Sequence, residues 1–158
     1  MNSRFKFLAI AAVFVSYVGG ARITNAAPPT NACLLLTSAQ VSDAVGTAVD
    51  AGTPLFASHP KDCQWRSTAA RTNIRVQLFL KDAQALTYAK IPISGKIVTG
   101  ASGVGDDAVY TTFQGTASVM TVKKGDVVFD VHVLSYGMPD DKVKAIEKTL
   151  ALKILAKL

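Results

Sequence analysis

The sequence predicts an α+β fold: an antiparallel β-sheet meander covered on one face by a short N-terminal helix and a longer C-terminal helix. Apolar residues alternate with polar ones between positions 47 and 81 and again after position 108, as they do in strands. Near position 40 and beyond position 139 they recur instead at helical spacing. Two cysteines add one predicted disulfide to this fold.

The first 26 residues are predicted to be a cleavable secretory signal peptide. Arg4 and Lys6 form a basic start, an apolar stretch runs from Phe7 to Val18, and small residues precede the expected cut. We expect cleavage after Ala26, with Ala27 as the next best position. A retained membrane anchor is the alternative, but the apolar stretch is interrupted before it reaches the roughly 20 residues that a spanning helix needs.

Removal of the signal leaves a mobile lead-in at 27–32 and a single domain at 33–158. Arg4, Lys6 and Arg22 leave with the signal, so the formal net charge falls from +6 to +3. Much of the basic character therefore belongs to the targeting segment, and we expect no nucleic-acid partner. We expect a periplasmic or secreted protein with no stable membrane anchor after cleavage.

Cys33 and Cys63 are expected to form the disulfide, because an exported chain with an even number of cysteines usually pairs them. Two unpaired buried thiols are the alternative. Lipidation of Cys33 is disfavoured, since the preceding segment, Thr30 to Ala32, lacks the apolar side chain that a lipid-acceptor cysteine has three positions upstream.

A short helix is predicted over Ser38 to Val45. Thr37 and Gln40 have the spacing of a capping box at its start, and Gly46 suits the left-handed cap at its end. The clearest strand is Ile74 to Leu80, in which every second residue is apolar.

Cys63 and Trp65 share one side of an earlier predicted strand. We therefore place Trp65 in the core beside the disulfide. An indole that stacks on a ligand is the alternative.

The second half of the chain is predicted to contain a helix, an irregular segment, three strands and a final helix. The helix spans Asp82 to Lys90, and the irregular segment, rich in glycine and serine, spans Ser94 to Gly105. Turns at Gln114–Gly115 and Lys124–Gly125 join the strands into a meander. The three strands are predicted at Ala108–Phe113, Thr116–Lys123 and Val127–Ser135.

The final helix follows Pro139 and carries one apolar stripe, which we expect to cover the sheet. The alternative is a basic amphipathic helix that lies on an anionic membrane. The stripe consists of Val143, Ile146, Leu150, Ile154 and Leu158.

No catalytic or metal-binding constellation is evident, and we expect no cofactor and no enzymatic activity. His59 and His132 are the only histidines, and neither has ligands at metal-binding spacing. Asp130 and His132 share one face of a strand, where they form either an acid–base pair or, as we favour, a surface contact. The segment Gly103–Asp107 suggests a phosphate or calcium loop, but the strand predicted after it favours a simple turn.

Several short motifs resemble those of small exported cell-envelope proteins of unknown function, many of which are actinobacterial lipoproteins. The resemblance rests on Cys33–Thr37, on the C-x-W strand Cys63–Trp65 and on the G-V-G-D-x-A-x-Y turn Gly103–Tyr110. It implies an extracytoplasmic α+β domain and no established activity. This chain departs from the lipoproteins in lacking their lipidation site.

The leading hypothesis is an exported, non-enzymatic binding or accessory module of the cell envelope, whose partner is an unknown protein or envelope component. We expect the partner surface on the open face of the sheet, near Arg66, Arg75, Asp130 and His132. The alternative is an inhibitor of a secreted or periplasmic hydrolase, in which the Ser94–Gly105 segment inserts into a cleft of the enzyme.

Overall fold

The structure is a computed structural model that describes residues 27–69, 73–113 and 118–158. The predicted signal peptide, the cut after Ala26 and the predicted turn at Gln114–Gly115 lie outside these residues.

Six strands form one antiparallel sheet in the order β1-β2-β6-β5-β4-β3. The last four strands form the meander, whereas the connection from β2 through α2 crosses to the far edge of the sheet, at β3. The predicted α+β class is confirmed. The elements are a 3-10 helix at Ala32–Leu34, α1 Ser38–Val45, β1 Asp62–Arg66, β2 Ile74–Lys81, α2 Ala85–Lys90, β3 Lys96–Gly100, β4 Asp107–Phe113, β5 Ser118–Lys124, β6 Val127–Ser135 and α3 Asp140–Leu155.

Helix α1 has the bounds that its capping residues predict. The Thr37 hydroxyl accepts a hydrogen bond from the Gln40 amide (3.2 Å), and the Gln40 side chain accepts one from the Thr37 amide (3.0 Å). Gly46 ends the helix at φ 75°, in the left-handed conformation that glycine adopts without a steric penalty.

The disulfide between Cys33 and Cys63 joins the 3-10 helix to β1, across a Cα–Cα distance of 5.1 Å. Trp65 is buried on the same side of β1 as Cys63, as predicted. Gly52 packs against the indole so closely that a Cβ there would clash with it. A disulfide in a small domain is typical of proteins outside the cytoplasm, where thiols are not kept reduced.

Helix α3 covers the sheet with its apolar side and contacts β5, β6 and α1. Val143, Ile146, Leu150 and Ile154 are all buried, which confirms the predicted docking of this helix. None of the helices within residues 27–69, 73–113 and 118–158 has the length and apolar run that a membrane span needs.

The prediction of an irregular segment at Ser94–Gly105 is wrong over its central part. Residues Lys96–Gly100 form β3, which pairs with β4 along its whole length. The β-branched run Ile97–Val98–Thr99 favours a strand, and the glycines and serines that suggested a loop lie in the flanking turns, apart from Gly100 at the end of β3.

The predicted helix at Asp82–Lys90 begins three residues later than expected, at Ala85. The Asp82 carboxylate accepts a hydrogen bond from the Gln84 amide (3.0 Å), so Asp82 stabilises a turn before the helix. Helix α2 lies against β4 and β5 on the face opposite α3, where Leu86 packs with Val109 and Val128. The face that we expected to be open is therefore half covered.

Candidate functional site

On the face of the sheet opposite α3, no helix within residues 27–69, 73–113 and 118–158 covers β1, β2 and β6. This part of the face holds all four residues of the predicted binding face. Cross-strand pairing aligns Arg66 with Arg75, and it aligns Gln64 with Gln77 and His132 in the next row. Phe79 lies in the row after that, opposite Asp130. We call this surface the polar strip; it consists of Gln64, Arg66, Arg75, Gln77, Phe79 and His132.

Two arginines face each other directly at one end of the polar strip. Arg66 and Arg75 are Cα partners in the β1–β2 pairing, and like charges directly opposite each other destabilise a sheet. The Arg66 guanidinium donates only to the Gln64 side chain (3.3 Å), and within the described part of the chain the Arg75 guanidinium has neither a hydrogen bond nor an ion pair. The pair therefore concentrates positive charge that no carboxylate of the described residues neutralises.

The carboxylates near the polar strip are occupied by the protein's own groups. Asp130 accepts a hydrogen bond of 2.7 Å from the Thr121 hydroxyl and lies 3.7 Å from the Lys81 ammonium. Asp62 accepts a hydrogen bond of 2.8 Å from the Leu55 amide. Both carboxylates therefore stabilise the domain, and neither is directed at the arginine pair.

Asp130 and His132 lie on the same face of β6 but form no acid–base pair. The Asp130 carboxylate is taken by Thr121, and the His132 ring lies 4.9 Å from the Phe79 ring, between centroids. Burial lowers the pKa of His132, while the charge of Asp130 raises it and that of Lys81 lowers it. The neutral imidazole is therefore favoured, and it contributes a polar edge to the strip.

A shallow groove of about 370 Å³ lies at the other end of the strip, where residues 59–62 meet residues 79–81. Lys61 and Lys81 line it together with Phe79 and His59. The His59 ring contacts the exposed Phe56 ring edge-on, with 5.5 Å between centroids. The strip thus runs from two arginines to a groove that carries two lysines, the Asp62 carboxylate and aromatic rings.

Arg66, Arg75 and His132 were predicted to belong to the binding face, whereas Gln64, Gln77 and Phe79 were not. Their signal was present, because these residues alternate with the apolar core positions of the same two strands. What the sequence lacks is the register that sets Gln64 beside Gln77 and Gln77 beside His132. Within the described segments, no group of three or more histidine, cysteine or acidic residues is placed to hold a metal ion.

The G-V-G-D segment forms a structural turn that clamps a hairpin. The Asp106 carboxylate accepts hydrogen bonds from the Gly125 amide and the Lys124 ammonium, both 2.7 Å, and these two donors lower the pKa of Asp106. Val104 is buried in the core. The Asp106 oxygens that a calcium loop would direct at a cation are thus used to hold the β5–β6 turn.

Comparison of this chain with protein-family models, with curated proteins and with solved structures finds no match in any of the three.

Proposed function

We propose that this chain is an exported, non-enzymatic binding module of the cell envelope, and that its polar strip binds an extended glycan carrying carboxylate groups. The observation that carries the proposal is the directly opposed pair Arg66 and Arg75, which lacks any carboxylate partner among the described residues. Guanidinium groups bind carboxylates through two parallel hydrogen bonds, and such a ligand would relieve the repulsion between the two arginines.

Charge along the strip supports an elongated anionic ligand. Arg66 and Arg75 lie at one end, and Lys61 and the Lys81–Asp130 ion pair lie at the other, five to six residues further along the strands. At roughly 3.3 Å per strand residue, the two ends are about 16 to 20 Å apart. This separation spans several ligand units, so a polymer with repeated carboxylates would contact both ends.

The uncharged groups between the two ends favour a glycan over a peptide. Gln64 and Phe79 are partly exposed, and Gln77 beside them is buried, with 9% of its surface exposed. Amides and aromatic rings suit sugar hydroxyls and the apolar faces of sugar rings. A peptide that binds by adding a strand needs a free sheet edge, and the edge of β1 is taken by residues 48–53.

The envelope location rests on the predicted signal peptide, on the resemblance to exported envelope proteins and on the disulfide. The alternative of a hydrolase inhibitor would need a protruding loop at Ser94–Gly105, and these residues do not form one. Residues 96–100 are a paired strand, and Val104 and Asp106 hold the turn that follows it against the domain.

Isothermal titration calorimetry with oligogalacturonate, a glycan with one carboxylate per sugar, tests the proposal. We expect saturable binding that weakens as salt is raised, because charge pairs at an exposed surface are screened. Replacing both arginines, Arg66→Gln with Arg75→Gln, should weaken binding by about tenfold or more. The matched control is Lys142→Gln with Lys153→Gln, which removes the same charge from α3 and should leave binding unchanged.

Two further ligands define the outcomes that contradict the proposal. A neutral glucose oligomer that binds as well as oligogalacturonate would exclude recognition of carboxylates. A poly-glutamate peptide that binds while oligogalacturonate does not would exclude a glycan as the ligand. Equal losses in the arginine and lysine double variants would show that net charge, and not the polar strip, determines binding.

A further inference from the structure

The two edges of the sheet are covered to different degrees. Residues 48–53 run along the outer side of β1, where Thr53 and Gln64 exchange backbone hydrogen bonds of 3.0 and 2.8 Å. No strand of the described segments pairs with the outer side of β3, where the Lys96 amide alone is bonded, to the Ile93 carbonyl of the preceding turn. Within these segments, β3 is the open edge.

The backbone of β3 presents hydrogen-bonding groups on that open edge. The Ala101 amide donates to the Ala108 carbonyl of β4 (2.9 Å), and hydrogen-bonded pairs occur at every second residue of an antiparallel ladder. Val98 and Gly100 therefore direct their amide groups away from β4. An edge of this kind is a template for another strand.

The lysines beside β3 do not protect this edge, because both are held by groups of the domain. The Lys96 ammonium donates to the carbonyls of Tyr88 (3.1 Å) and Ile91 (2.8 Å). Lys90 pairs with Asp107. Charged side chains on an edge usually discourage strand pairing, whereas the Ile97 side chain beside this edge is apolar and 59% exposed.

We propose that β3 pairs with β3 of a second copy of this chain, antiparallel, about a two-fold axis at Val98. In this register Val98 faces the partner's Val98, Ile97 faces the partner's Thr99 and Lys96 faces the partner's Gly100. No two like charges are opposed. The two Ile97 side chains lie diagonally on one face, within the reach of long side chains across a strand pair.

A second copy is favoured over a foreign strand because the free backbone groups of β3 complement themselves. The Val98 amide and carbonyl exchange hydrogen bonds with those of the partner's Val98. The Gly100 amide meets the carbonyl of the partner's Lys96. The Lys96 amide, which also points outward, is already bonded to the Ile93 carbonyl at 3.1 Å and so makes no bond to the partner. This pairing does not depend on the proposed glycan, since β3 and the polar strip lie at opposite sides of the sheet.

Sedimentation velocity of the protein recovered after export, over a wide range of concentrations, tests the pairing. We expect a monomer–dimer equilibrium. Val98→Pro removes the outward amide, and edge strands tolerate proline at such positions. Val98→Pro and Ile97→Lys should each raise the dissociation constant of the dimer by about tenfold or more. The matched control is Tyr136→Lys, which changes an exposed aromatic residue remote in the sheet from β3 and should leave the equilibrium unchanged.

Cysteine cross-linking reports the register without relying on a destabilising change. Val98→Cys should form a covalent dimer under mild oxidation, since the two positions face each other directly, whereas Tyr136→Cys should not. A protein that is monomeric at every concentration overturns the proposal. So does a dimer that resists both Val98→Pro and Ile97→Lys, or a monomer that pairs through β3 only with an unrelated strand-forming peptide.

Discussion

The Glu147 carboxylate of α3 accepts a hydrogen bond of 2.7 Å from the Ser118 hydroxyl at the start of β5, and both side chains are fully buried. Its other oxygen accepts one of 3.2 Å from the Val133 amide on β6. The pairing of β5 with β6 begins at Val119 and His132, one residue short of Ser118 and Val133. Glu147 thus bridges the two strands where their ladder ends.

Because of this position, the stability of the fold depends on whether the Glu147 carboxyl is protonated. Burial raises the pKa of Glu147 from 4.5 to about 7, and the hydrogen bonds from Ser118 and Val133 and the charge of Lys144 only partly offset this effect. Asp140 raises the pKa slightly further. Because the folded state binds the proton more tightly than the unfolded chain, the stabilisation is fully present below pH 4.5 and is lost as the pH rises through about 7.

We predict that Glu147→Gln removes this pH dependence. Urea unfolding at pH 5 and pH 8 should show that, between these two pH values, the native protein loses about 2.5 kcal/mol of stability relative to the variant. The comparison at each pH cancels the effect of His132, whose lowered pKa acts in the opposite direction and costs stability as the pH falls below 6.5. Parallel curves for the two proteins would mean that Glu147 does not titrate in this range.

We predict that removal of the disulfide by Cys33→Ala with Cys63→Ala lowers the free energy of unfolding by about 2 to 5 kcal/mol. The bond closes a loop that joins the 3-10 helix to β1 over a sequence separation of 30. Thermal melting of the native protein with and without a reductant is the matching measurement. A melting temperature that neither treatment changes would contradict the structural role of the bond.

We predict that Leu150→Ala destabilises the domain by about 2 to 5 kcal/mol, because Leu150 is fully buried between α3 and the sheet and its loss leaves a cavity. Lys153→Glu, on the same helix, should change the free energy of unfolding by only about a few tenths of a kcal/mol. Denaturant unfolding compares the two. The opposite ranking would indicate that α3 acts through its charges, as on a membrane surface.

We predict that Gly105→Ala is far more damaging than Gly103→Ala. Both glycines have positive φ, at 60° and 74°, so each substitution costs about 1 to 2 kcal/mol in backbone strain. A Cβ at Gly105 would also collide with the Lys123 carbonyl of β5, whereas one at Gly103 meets open space. Melting temperatures that fall equally in the two variants would show that the close approach of Gly105 to β5 is unimportant.

The sequence by itself determined the elements whose signals are local. The bounds of α1 follow from Thr37, Gln40 and Gly46, which act within a few residues of one another. The alternation in β2 and β6 assigned Arg75 and His132 to the face away from the core. The pairing of Cys33 with Cys63 followed from their number, since two cysteines allow one bond.

Only the tertiary structure decided which of these elements are neighbours. The order of the strands places β2 beside β6 and sends β3 to the open edge, and nothing local in the chain encodes a pairing between such distant segments. The partners of Glu147 also could not be predicted from the sequence. Its position four residues after Val143 places it beside the apolar stripe of α3, but its contacts with Ser118 on β5 and Val133 on β6 depend on how α3 docks on the sheet. The polar strip, the open edge of β3 and the buried Glu147 carboxyl all depend on strand register and helix docking. Register and docking arise from contacts between residues far apart in sequence, so the sequence patterns did not reveal them.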